Sequence, residues 1–154
     1  MKRANLILIL LALVSMVAFA KSPQTKESKS AEPIDLTASE FVKRVHNFKK
    51  HPNDWIYVGD KPAIIDFHAA WCGPCKQLAP TLRALAAEYA DEIYIFKVDV
   101  DKEPDIARAY GVRSVPSLLF IPHDDAKPKM GQGNIPKASL KKEIDEFLLG
   151  KEAK

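Results

Sequence analysis

The chain predicts an α/β domain in which a mixed central β-sheet is flanked by helices on both faces. Three observations predict it. Between Ile34 and Tyr110, short apolar runs alternate with helical patterns, the order expected of parallel strands joined by crossover helices. Two later runs, Ser117 to Ile121 and Lys129 to Gln132, flank a polar loop and add an antiparallel hairpin. A last amphipathic stretch supplies one more helix, so the predicted order is β-α-β-α-β-α-β-β-α.

Residues 1–20 read as a secretory signal. Lys2 and Arg3 form its positive start, Leu6 to Val17 is almost wholly apolar, and Ala18-Phe19-Ala20 fits a small-x-small cleavage site before Lys21. The apolar run is shorter than the roughly 20 residues a spanning helix needs, which favours removal over retention as an anchor. No cysteine stands directly after the cleavage site to take a lipid. Residues 21–33 are polar and free of aromatics, a flexible linker. The folded domain is expected over 34–150, with a tail at 151–154.

Ile34-Asp35-Leu36 is a short strand. Thr37 with Glu40 makes a capping box, so a helix starts at Ala38, with Phe41, Val42, Val45 and Phe48 on its apolar face. His51-Pro52-Asn53-Asp54 breaks it, and Trp55 to Val58 is a short apolar stretch before the turn at Gly59 to Pro62. Ala63 to Phe67 is continuously apolar except for Asp66, as suits a buried central strand. A helix from about Gly73 to Ala90 follows, with a kink expected at Pro80. Ile93 to Val98 is the next strand. Pro104 opens a helix that ends before Gly111, and the last helix carries Leu140, Ile144, Phe147 and Leu148 up to Gly150.

Composition excludes some functions. The chain is 47% hydrophobic, ample for one ordinary core, and its formal charge of +3 falls to about +1 once Lys2 and Arg3 are set aside. That balance makes no electrostatic case for nucleic acid or an anionic membrane surface. The two cysteines, Cys72 and Cys75, lie in Trp71-Cys72-Gly73-Pro74-Cys75, directly after the predicted central strand and at a helix start. A bridge between them closes too small a loop to add much stability, so reactivity explains the pair better than stapling. Two thiols at this spacing are the layout of a dithiol/disulfide redox centre. Half a zinc site has the same spacing. However, there is no second cysteine pair, and His46, His51, His68 and His123 show no metal-ligand spacing, so no metal is expected.

Ile64-Ile65-Asp66-Phe67 followed by Ala70 to Lys76, the proline at Ala79-Pro80, Lys97 to Asp101, and Tyr110 to Ser117 together resemble the thioredoxin family over about residues 34–149. The resemblance implies a thioredoxin fold and a redox-active Cys72–Cys75 disulfide with no other cofactor. Cys72 would be the exposed nucleophile, favoured as thiolate by the helix N-terminus. Cys75, one turn inward, would resolve the mixed disulfide. Asp66 matches the family's buried aspartate; burial would raise its pKa and let it take a proton from Cys75. Gly73 and Pro74 shape the turn between the thiols, and in the family this dipeptide accompanies reducing members. Lys97 is expected to pair with Asp66 and modulate it.

Pro116 matches the family's cis-proline, which would present Val115 to an extended substrate. Trp71 is read as a flat contact surface beside Cys72. A groove glycine falls at Gly131 or Gly133, of which Gly133 is taken. His68 departs from the family, which usually has a large aromatic there. Facing Cys72, an ionised ring would make the centre more oxidising; otherwise it is a packing variant.

The expected function is reduction of protein disulfides outside the cytoplasm, in a periplasm or a secreted setting, by a monomer re-reduced by a membrane thiol donor. After signal removal no stable membrane insertion is expected. A disulfide oxidase or isomerase and a thioredoxin-fold binding or chaperone module are the alternatives.

Overall fold

The computed structural model describes residues 32–123 and 126–151. The proposed signal and most of the linker lie outside the described residues. Nine elements follow in order: β1 (Ile34–Asp35), α1 (Ala38–Arg44), β2 (Ala63–His68), α2 (Gly73–Glu88), β3 (Tyr94–Asp99), α3 (Pro104–Ala109), β4 (Ser117–Ile121), β5 (Lys129–Gln132) and a C-terminal helix, α4, whose α-helical part is Lys137–Lys142. The sheet runs β1-β3-β2-β4-β5. β3 is parallel to both β1 and β2, whereas β4 is antiparallel to β2 and β5, so the sheet is mixed as predicted.

Local chemistry accounts for the boundaries. Thr37 Oγ1 accepts the Glu40 N–H at 3.4 Å while Glu40 Oε2 accepts the Thr37 N–H at 2.9 Å, which closes the capping box at the start of α1. Pro104 occupies the first turn of α3, where no amide donor is needed. α2 runs from Gly73 to Glu88 with Pro80 inside it. α4 departs from the single α-helix expected: over Glu143–Leu148 it widens to π spacing, with the Leu149 N–H donating to Ile144 O at 2.9 Å. Its apolar residues Leu140, Ile144 and Leu148 recur every four positions, a spacing slightly longer than the α-helical turn, and all three are buried.

β2 sits at the middle of the sheet with helices over both faces; Ala63, Ile65 and Phe67 make one face wholly apolar, and Ile64 shares the other with two polar residues. On one side Ile64, Ile95, Leu118 and Phe120 pack against Leu78, Leu82 and Leu85 of α2 and Leu140 and Ile144 of α4. On the other, Ala63, Ile65, Phe67, Phe96 and Val98 pack against Phe41 of α1 and Ile106 of α3. A fully buried side chain of this size contributes about 1.5–3 kcal/mol, so two such layers anchor the central strand firmly. By strand alternation Asp66 and His68 share the face of Ile64, the face on which α2 lies.

Candidate redox site

The chain leaves the carboxyl end of β2, passes Ala69 to Trp71, and enters α2 through Cys72 as its N-cap. Cys72 and Cys75 are joined by a disulfide, with Cα atoms 5.3 Å apart. Cys72 Sγ also accepts the Cys75 N–H at 3.1 Å, in the place an N-cap oxygen usually takes. A sulfur there meets free amide donors and the positive end of the helix, which stabilise a thiolate once the disulfide is reduced.

Cys72 is not the exposed member of the pair in this state. It is 3% exposed and Cys75 6%. The sulfurs face one another, and Ala69, Val100 and Val115 pack around them. The exposed surface beside the disulfide belongs instead to Trp71, Gly73 and Pro74. Trp71 is 70% exposed, and its indole N–H donates to Asp101 Oδ2 at 2.9 Å, which fixes the ring as a platform next to Cys72.

Asp66 is buried at 4% exposure, and its Oδ1 has no hydrogen-bond partner. Burial pushes its pKa up to about 7, against a smaller opposing pull from the Lys97 ammonium. Lys97 is opposite Asp66 in the β2–β3 register, yet it does not pair with it. Its Nζ lies 3.1 Å from Asp35 Oδ1 instead. The correction has a physical reason: β1 adds to the far side of β3 with Asp35 in register with Lys97, and Asp35 is solvated, so the ammonium reaches water and a carboxylate together.

His68 sits at the end of β2, partly exposed, with Nε2 buried and unpartnered. Burial, followed by the Lys97 charge, holds its pKa below the ordinary imidazole value. The ring is therefore neutral at pH 7 and offers no cation to a Cys72 thiolate, which removes that ground for an oxidising centre.

The Val115–Pro116 bond is cis, and Val115 packs against the cysteine pair. Ser117 Oγ donates to Ser114 O at 2.7 Å and ties the loop before β4. The Gly133 N–H donates to Pro116 O at 2.9 Å, and Gly133 has φ +83° with open space where a Cβ would point. Gly131 differs: a Cβ there would meet Ile135 at 3.0 Å and Phe120 at 3.1 Å. Gly133 is thus the glycine beside Pro116, while Gly131 is packed within the hairpin.

Two features escaped sequence reasoning. Asp35 is the partner of Lys97. His46, buried at 5% exposure, lies among Trp55, Tyr110 and Phe48, with Nδ1 2.7 Å from Tyr110 Oη and Nε2 3.0 Å from the Asp54 carbonyl. The run of aromatics between Phe48 and Tyr57 was the available signal. No group of three or more His, Cys, Asp or Glu poised to hold a metal occurs among the described residues, and no described helix is long and apolar enough to cross a membrane.

A protein-family model described as Thioredoxin matches residues 34–146. A thioredoxin of Borreliella burgdorferi is 46% identical over 115 residues, which cover 75% of this chain and 97% of that protein. A chloroplastic M-type thioredoxin of Pisum sativum is 36% identical over 114 residues, covering 73% of this chain and 66% of the relative. Among solved structures, chloroplastic thioredoxin z superposes with a TM-score of 0.59 at 25% identity, covering 73% of this chain and 91% of that one.

Proposed function

The chain belongs to the thioredoxin family and is a thiol–disulfide oxidoreductase; from that premise we propose that it reduces protein disulfides outside the cytoplasm. The observation that carries the reading is the Cys72–Cys75 disulfide at the N-terminus of α2, the helix that covers the sheet face bearing the buried Asp66, whose Oδ1 has no hydrogen-bond partner. The Gly73-Pro74 dipeptide and a neutral His68 favour a reducing centre over an oxidising one. The composition of Met1 to Ala20 supports export, and an exported reductase needs a thiol donor that reaches across the membrane.

In the proposed cycle the Cys72 thiolate attacks one sulfur of a substrate disulfide, and the other sulfur leaves as a thiolate. Trp71 and the Val115–Pro116 segment seat the substrate beside the pair, and Gly133 leaves room for it. Asp66, whose pKa burial lifts to about 7, can accept a proton near neutral pH and then takes the one from Cys75. Cys75 sulfur bonds to Cys72 Sγ, the mixed disulfide breaks, and the second substrate thiolate departs. The protein is left in the oxidised form described above. A donor dithiol returns it to the reduced state, and the cycle needs one monomer and no other cofactor.

Replacing Cys75 tests the reading. Cys75→Ser is expected to accumulate covalent adducts between Cys72 and its substrates, released by added dithiol and absent from Cys72→Ser. A binding or chaperone module would keep its function in the double variant Cys72→Ser/Cys75→Ser, and that result would refute the enzymatic account.

A further inference from the structure

Asp66 Oδ1 and His68 Nε2 are buried side-chain atoms with no hydrogen-bond partner. Their residues are two apart on β2, so they leave the sheet on the same face with Cα atoms about 6.6 Å apart. One water between two such polar atoms would satisfy both, as buried waters commonly do. Asp66 is enclosed, whereas His68 is partly exposed, so the imidazole runs from the interior to the surface.

The other charged groups around this pair cannot serve the same end. Lys97 on β3 acts on both residues, but an ammonium has no lone pair and this one is held by Asp35 of β1. Lys102, after β3, is likewise a donor only. Asp99 on β3 accepts the Asp101 N–H and pairs with Lys102 at 3.5 Å. The start of α2 contributes the Cys72–Cys75 pair, which does not titrate while bridged and which, once reduced, is the source of the proton and not its way out. His68 alone combines a buried lone pair with a path to solvent.

We propose that His68 is the proton conduit of this site, carrying through one bridging water the proton that Asp66 takes from Cys75 out to solvent. The inference rests on the reading of Asp66 as proton acceptor. When Cys75 sulfur bonds to Cys72 Sγ, the substrate thiolate leaves with the electron pair of the broken S–S bond and the Cys75 proton passes to Asp66. Asp66 hands a proton to the water, the water hands one to His68 Nε2, and Nδ1 releases its own to solvent. The donor half-reaction runs this backward. Donor thiolate attacks Cys72, Cys75 leaves as a thiolate and takes a proton from Asp66. His68 Nε2 then replenishes Asp66 while Nδ1 regains a proton from solvent. Each full cycle restores the starting tautomer. A ring held neutral passes protons on instead of storing them.

The test uses the reduced full chain with ¹³C-labelled aspartate side chains, following the Asp66 carboxyl resonance from pH 5 to 9. In the parent a single averaged resonance is expected to move with pH. His68→Phe, which fills the space without a nitrogen, should slow proton exchange at least tenfold and broaden or split that resonance near its midpoint. His68→Gln, which keeps a polar group but cannot relay through a ring, should do the same and serves if the Phe variant does not fold. Unchanged exchange in either variant overturns the proposal and leaves the role of Asp66 standing. An Asp66 resonance that does not titrate in the parent overturns both.

Discussion

Lys97 gives its ammonium to Asp35, with Nζ 3.1 Å from Oδ1, and so leaves its register neighbour Asp66 without an ion-pair partner. Burial raises the Asp66 pKa, and the edge strand modulates it by holding the ammonium that opposes burial. Removing the Asp35 charge frees Lys97 to favour the Asp66 carboxylate. Asp35→Asn is expected to lower the Asp66 pKa by less than one unit, because a solvated ion pair is worth only about 0.2–1 kcal/mol. Carboxyl titration by NMR measures it, and a rise would contradict the argument.

Asp66 carries a second prediction. Its folded-state value of about 7 stands above 3.8, so between those limits the folded chain binds a proton that the unfolded chain has released. Stability therefore falls as pH rises through that window, and above it the cost reaches about 4 kcal/mol. Asp66→Asn should stabilise the protein against urea at pH 8 and have little effect near pH 4. The same variant should slow disulfide reduction about tenfold or more, since it cannot accept the Cys75 proton.

His46 predicts the opposite slope. Its Nε2–H donates to the Asp54 carbonyl, which leaves Nδ1 to accept the Tyr110 hydroxyl, so the neutral ring uses both nitrogens. Burial, the largest influence, holds its pKa below 6.5. The unfolded chain then binds a proton that the folded chain refuses, and this contribution to stability is lost as pH falls below about 6.5. Urea unfolding at pH 7.5 and 5.5 in the Asp66→Asn background isolates it. Adding His46→Gln should flatten the difference.

The succession of elements was legible because each boundary has a local cause. The Thr37–Glu40 box starts α1, the apolar Ala63–Phe67 run makes a strand, and Pro104 opens α3. The thiols and Asp66 were legible too, since an acid inside an apolar strand and a cysteine pair at a helix start are both local patterns. What stayed hidden depends on pairing across the sheet or between distant segments. Asp35 meets Lys97 only because β1 lies beside β3. His46 meets Tyr110 across 64 residues. Gly133 is separated from Gly131 by its backbone conformation, its bond to Pro116 and the open space around it, all set by the tertiary fold. The burial of Cys72 follows from the closed disulfide and the residues packed on it, which motif spacing does not encode.

The central claim is that this pair works as a reductant, and its reduction potential tests that most directly. The full chain is equilibrated against a reference dithiol or glutathione, and the Cys72–Cys75 redox state is read by thiol alkylation. The account predicts a value close to that of thioredoxin, about −270 mV. A value between about −180 and −120 mV, the range of isomerases and oxidants, would contradict it.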